Sequence, residues 1–265
     1  MPSFYWIDAF ANQAFSGNPA GVCLLDSPAD EAWMGRVAHE LGISETAFVY
    51  PVGNAWSLRW FTPKVEVSLC GHATMAAAHA LWESGKLGKD QEAVFKTLSG
   101  ELRARYLSDA IELDFPARAS VTADPPPGLL KALGLEAALE ILRTNNEDWL
   151  IVIEGGVKAV AALRPDFSEL KKTGGRGICV TSSCSKPEAD FCSRFFAPAV
   201  GINEDPVTGA AHCALGPYWG ARLGKKSLSG LQLSARGGNV GVELRGERVG
   251  LQGRAVTLIQ GQIQN

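Results

Sequence analysis

An internal echo constrains this chain more than any other feature of its sequence. Arg59-Trp60-Phe61-Thr62-Pro63-Lys64-Val65 recurs as Arg194-Phe195-Phe196-Ala197-Pro198-Ala199-Val200, 135 residues later, and Leu98-Ser99-Gly100 recurs as Leu233-Ser234-Ala235 at the same displacement. Between these anchors each half carries one Gly/Ala-rich segment, 70–85 and 208–224, apolar nearly all round. A helix without a polar face has to be enclosed by other structure. Short runs with strand character surround each one, among them 45–50, 57–61, 92–98 and 101–106 in the first half and 149–153, 177–181, 191–196 and 231–235 in the second. The expected class is α+β: two pseudo-symmetric domains, each a curled, mostly antiparallel, barrel-like sheet around a central helix.

Consecutive prolines cannot enter a helix or a central strand, so Pro125-Pro126-Pro127 marks the linker region and the boundary is expected near residue 117. The expected domains are 1–117, joined by the C-terminal strand at about 253–265, and 118–252, with an active site in the cleft between them. Pro217 is expected to kink or shorten the second central helix. Both central helices begin after loops rich in chemistry, Cys70-Gly71-His72 in one half and 203–209 (NEDPVTG) in the other. Their free N–H groups and the positive end of the macrodipole suit a carboxylate ligand.

One acidic residue stands out. The stretch 31–42, EAWMGRVAHELG, has helical apolar spacing and closes on a glycine, and ISETAF (43–48) follows as the start of a strand. Alternation puts Glu45 on the face of Ala47 and Val49, with Thr46, Phe48 and Tyr50 on the other, and neither face is polar. A carboxylate there must find partners, hold a proton more readily, or do work that justifies burial. On the residues alone Glu45 reads equally well as a structural carboxylate and as a functional one.

Composition narrows the partners. With 25 basic and 28 acidic residues the net charge is −3, and no basic run suggests nucleic acid or an acidic membrane surface. No apolar run reaches membrane-spanning length and the first residues lack a leader pattern, so the chain is read as cytoplasmic, with a small molecule as its partner. Six cysteines show neither a CxxC pair nor zinc-type spacing, and His72 and His79 lie two turns apart, so no metal site is expected. Phosphate-loop, dinucleotide and nucleophile-elbow signatures are missing as well.

The motifs DAFANQAFSGNPAGVCLL (8–25), ISETAF (43–48), LRWFTPKVEVSLCGHAT (58–74), TLSGELRAR (97–105), RFFAPAVGINEDPVTGAAH (194–212) and SARGGNVGVEL (234–244) together resemble the PhzF-type, phenazine biosynthesis-like isomerase family over essentially the whole chain. That family has the diaminopimelate epimerase-like fold. The resemblance implies a homodimer without metal or organic cofactor. It also implies cofactor-independent transfer of a proton between carbons of a small cyclic or unsaturated carboxylate of the dihydrohydroxyanthranilate type.

By the same resemblance Glu45 is the acid/base and His72 and Asp205 are its catalytic partners. Asn18, Gly71, Ala73, Thr208, Gly209 and Ala210 are expected to contact substrate. Ala210 stands where many members carry a serine, which removes one hydroxyl contact. Two alternatives remain open at this level: an amino-acid racemase or epimerase using Cys70 with another base, and a catalytically silent metabolite-binding or interaction protein. Thr208 at the matched position of the second half disfavours a two-cysteine mechanism, and Cys70 then reads as packing.

Overall fold

The structure is a computed structural model that describes residues 1–145, 147–184 and 189–264. It divides into two compact units, Met1–Phe115 with Gln252–Asn265, and Pro116–Leu251.

In the first unit the chain runs β1 (Ser3–Ala9), β2 (Asn18–Leu24), α1 (Glu31–Leu41), β3 (Thr46–Val52), β4 (Ala55–Phe61), the short β5 (Glu66–Val67), α2 (Gly71–Glu83), β6 (Ala93–Thr97), β7 (Gly100–Leu107) and β8 (Ala110–Pro116). Strand β1 lies between β2 and the last strand of the chain, β18 (Ala255–Gln262), antiparallel to both. Strand β2 runs parallel to β3, β3 antiparallel to β4, and β4 parallel to β6, after which β6, β7 and β8 form an antiparallel meander. A parallel pair needs a crossover connection, and α2 is the one joining β4 to β6.

The second unit comprises β9 (Ser120–Thr122), α3 (Leu129–Leu133), β10 (Glu140–Thr144), β11 (Trp149–Val152), α4 (Gly156–Ala162), α5 (Phe167–Leu170), β12 (Ile178–Ser183), β13 (Phe191–Ala197), β14 (Ile202–Asp205), α6 (Gly209–Leu223), β15 (Ser227–Gln232), β16 (Gly238–Arg245) and β17 (Arg248–Gly253). Its ladder repeats the plan: β11 parallel to β12, β12 antiparallel to β13, β13 parallel to β15, with α6 as the crossover. The echoed segments are thus β4 with its following turn and β13 with its own, and each opens onto a central helix. Both helices are mixed into sheet-rich α+β surroundings, and most of their residues are buried.

The repeated arginines have a structural use. Arg59 grips Glu66 through Nε and Nη2 at 2.7 and 2.6 Å and lies 5.2 Å over the Phe61 ring. Arg194 grips Glu204 in the same way at 2.7 and 2.9 Å, 4.9 Å over Phe196. Two parallel N–H···O bonds fix the planar groups against each other, so each fork closes the strand onto the segment that leads to its helix.

Pro217 does not shorten its helix, and one strand expectation differs from the structure. Helix α6 continues through Pro217 to Leu223. Proline leaves the carbonyl four residues back without its helical donor, and here Arg118 N–H supplies the bond to Cys213 O at 2.8 Å. The strand expected at 231–235 instead spans Ser227–Gln232, because Ser234 turns out of the ladder: its Oγ donates to Pro206 O at 2.9 Å and accepts from Gly237 N at 2.9 Å. All six cysteines are free, five of them buried. No helix among the described residues is long and apolar enough to cross a membrane.

Candidate active site

Local signals place Glu45 where it sits. Asp30 caps α1 by accepting from Trp33 N, and Gly42 ends the helix in the left-handed region at φ 64°. The chain then turns directly into the sheet, where Gly21 N donates to Glu45 O at 3.1 Å and extends the β2–β3 ladder by one step. The main chain of Glu45 is therefore held independently of its side chain. One face of β3 sends Phe48 and Tyr50 against α1, with Trp33, Val37 and Leu41. Glu45 belongs to the opposite face by alternation and meets His72 on α2, its Oε2 lying 3.1 Å from His72 Nε2. Side-chain exposures of 14% for Glu45 and 8% for His72 make this a substantially dehydrated contact.

Cys70 is the third member. It occupies the N-cap position of α2 but makes no side-chain cap, and its Sγ lies 3.6 Å from His72 Nδ1 and 3.9 Å from Nε2. Burial opposes the imidazolium, yet Cys70 and Glu45 together hold the His72 pKa well above its ordinary value. Burial also pushes the Cys70 thiol up. The donor atoms of Glu45, Cys70 and His72 lie within 4.8 Å of one another, a set that could hold a metal ion, and no other such group occurs among the described residues. Pairing histidines along the sequence does not find it, since two of its members are not histidine. Asn18 opens β2 at the same end of the β2–β3 ladder as Glu45 and is fully buried. Gly71 and Ala73 flank His72 in the first turn of α2.

The second unit builds a matching arrangement from different residues. Asp205 ends β14, and Thr208 is the N-cap of α6. Thr208 also forgoes capping its own helix: its Oγ1 donates to Asp205 Oδ2 at 2.5 Å. Gly209 and Ala210 follow as the first two helical residues. In both helices the N-cap side chain is thus turned toward a titratable side chain, His72 in one and Asp205 in the other.

The second echoed anchor explains how these loops are held. Ser99 Oγ donates to Ser68 O at 2.7 Å, and Ser234 Oγ donates to Pro206 O at 2.9 Å. Each serine pins the main chain just before its central helix. Ser99→Ala and Ser234→Ala are expected to cost about 1 kcal/mol each in urea denaturation. A loss under about 0.2 kcal/mol would mean the tethers hold nothing.

His212 gives the fold a pH limit. Its Nδ1 lies 2.9 Å from Thr208 O, and since a carbonyl only accepts, Nδ1 carries the proton. Burial lowers its pKa from 6.5 to about 4. A histidine depressed in the folded state contributes stability that is fully present above its unfolded pKa and is lost as pH falls through the folded one. Stability should therefore decline between pH 6.5 and about 4. The loss amounts to about 3 kcal/mol from this residue. His212→Gln should flatten that limb in a urea titration series, and an unchanged limb would refute the assignment.

Residues 7–261 match the family described as phenazine biosynthesis-like protein. The chain is 46% identical over 260 residues to an uncharacterized isomerase of Halalkalibacterium halodurans, covering 98% of this chain and 97% of that one. It is 39% identical over 279 residues to the human phenazine biosynthesis-like domain-containing protein, covering 97% and 96%. Among solved structures it is similar to a PhzF-family phenazine biosynthesis protein from Enterococcus faecalis, at TM-score 0.94 and 38% identity, covering 100% of this chain and 99% of the other.

Proposed function

Because the chain belongs to the phenazine biosynthesis-like (PhzF) family, a family of isomerases, we propose that it moves a proton between carbons of a small cyclic or unsaturated carboxylate, with Glu45 as the acid and base. The observation that carries this reading is the dehydrated contact of Glu45 with His72 at the start of α2.

The steps follow from the groups at hand. The Glu45 carboxylate takes a proton from a carbon next to the unsaturated system, and the electron pair left behind delocalises into that system. The N–H groups in the first turn of α2 stabilise developing negative charge better than water would, since they need no reorganisation. Glu45, now neutral and free to exchange its proton with solvent, gives a proton to another carbon, so the reaction is an isomerisation with no net gain or loss. His72 and Asp205 exchange protons with, or orient, the polar substituents of the substrate. The thiol of Cys70 is a poor candidate for a competing base, because burial keeps it protonated. That weakens the racemase alternative.

NMR-detected deuterium incorporation from solvent tests the reading on a panel of cyclic and α-amino carboxylates. The expected result is label at a ring or vinylogous carbon. Label confined to the α-carbon would favour a racemase, and no exchange in a ligand shown independently to bind would favour the binding-module alternative.

A further inference from the structure

The residue that knits the second-unit cluster together has no part in the chemistry above. Gln232, the last residue of β15, is fully buried. Its Oε1 accepts from Thr208 N at 2.8 Å, and its Nε2 donates to Asp205 O at 2.8 Å and to Thr208 Oγ1 at 3.1 Å. A primary amide has two N–H groups, and both are spent on the same four-residue segment. The threonine hydroxyl has one hydrogen. With its oxygen accepting from Gln232, that hydrogen is directed to Asp205 Oδ2.

We infer that Gln232 is a positioning residue that orients the Thr208 hydroxyl onto the Asp205 carboxylate. The relay runs amide to hydroxyl to carboxylate, and it is distinct from the main-chain tether two residues further along, where Ser234 holds Pro206 O. That separate tether means the loop keeps an anchor when Gln232 is replaced. What is lost is the direction of the hydroxyl. Nothing in the repeat supplies the same device to the first unit, because Thr97 stands at the position matched to Gln232 and its hydroxyl donates to Gly100 O at 2.7 Å.

The catalytic consequence rests on the reading of Asp205 as part of the proton-transfer machinery, but the relay itself is testable without turnover. A hydroxyl donating to a carboxylate favours the charged form, so loosening it raises the carboxyl pKa. In carboxyl-¹³C NMR titrations, with the Asp205 signal assigned by its disappearance in Asp205→Asn, Gln232→Met should move the Asp205 midpoint up by about half a unit or more relative to wild type. Thr208→Val, which keeps the shape and removes the last link, should reproduce the shift if the buried Gln232 variant folds poorly. An Asp205 midpoint unchanged in either folded variant overturns the inference. On any carboxylate that exchanges deuterium, Gln232→Met should lower kcat about 10-fold while KM moves less than about 3-fold, a split that general loosening of the fold does not produce. If Asp205→Asn leaves exchange untouched, the functional reading of Asp205 fails while the relay stands; if Asp205→Asn abolishes exchange and Gln232→Met leaves kcat unchanged, the relay has no catalytic role.

Discussion

Glu45→Gln should fold as the wild type does and lose solvent deuterium exchange by about 10²- to 10⁴-fold, the contribution of a positioned general base. Folding survives because the main chain at this position is held by Gly21 N donating to Glu45 O, a bond no side-chain change touches. Glutamine also keeps the length and most of the volume of glutamate. What it cannot do is accept and return a proton near neutral pH. A second signature accompanies the loss. Glu45 is one of the groups holding His72 protonated against burial, so the His72 midpoint, followed by its ring carbon-bound protons, should fall in the variant. Retention of exchange within about threefold of wild type would remove Glu45 from the mechanism whatever happened to His72.

Phe48→Ala should cost about 3–5 kcal/mol, the range for emptying a fully buried aromatic site. Phe48 is 0% exposed, and its ring meets Trp33 edge-on at 5.9 Å and Phe61 edge-on at 5.6 Å. Edge-to-face contacts add to the loss of buried area, and two bulky neighbours on separate elements limit how far the cavity collapses. The measurement is urea denaturation followed by tryptophan fluorescence, with Trp33 beside the deletion. Phe48→Leu should lose far less, since it retains most of the volume. A Phe48→Ala loss below about 1 kcal/mol would mean that β3 does not rely on α1 for its hold. The site is bound to this prediction, because the strand that buries Phe48 against one helix presents Glu45 toward the other.

The sequence by itself determined the parts that local rules govern. Helix α1 is announced by its apolar spacing and its end by Gly42, all within one short stretch. The alternation of β3 places Glu45 opposite Phe48 before any neighbour is known. The echo at 135 residues marks both central helices and the serines that tether their loops, because a repeated unit must solve the same packing problem twice.

Tertiary structure decided what depends on register and on partners distant in the chain. His72 lies 27 positions after Glu45, and Gln232 lies 24 after Thr208, so no window of local pattern contains either pair. Whether Pro217 would break α6 depended on a donor from outside the helix, Arg118 N, finding Cys213 O. The end of β15 depended on whether Ser234 would stay in the ladder or turn to Pro206. Cys70 reads as packing in the sequence because Thr208 stands at the matched position of the second half, and only the fold sets its sulfur 3.6 Å from an imidazole nitrogen. The physical reason is common to all of these. Backbone propensity and hydrophobic period act over a few residues, whereas the meeting of polar side chains is fixed by which strands pair and in what register, and a change of one residue in register turns every side chain of a strand to the other face.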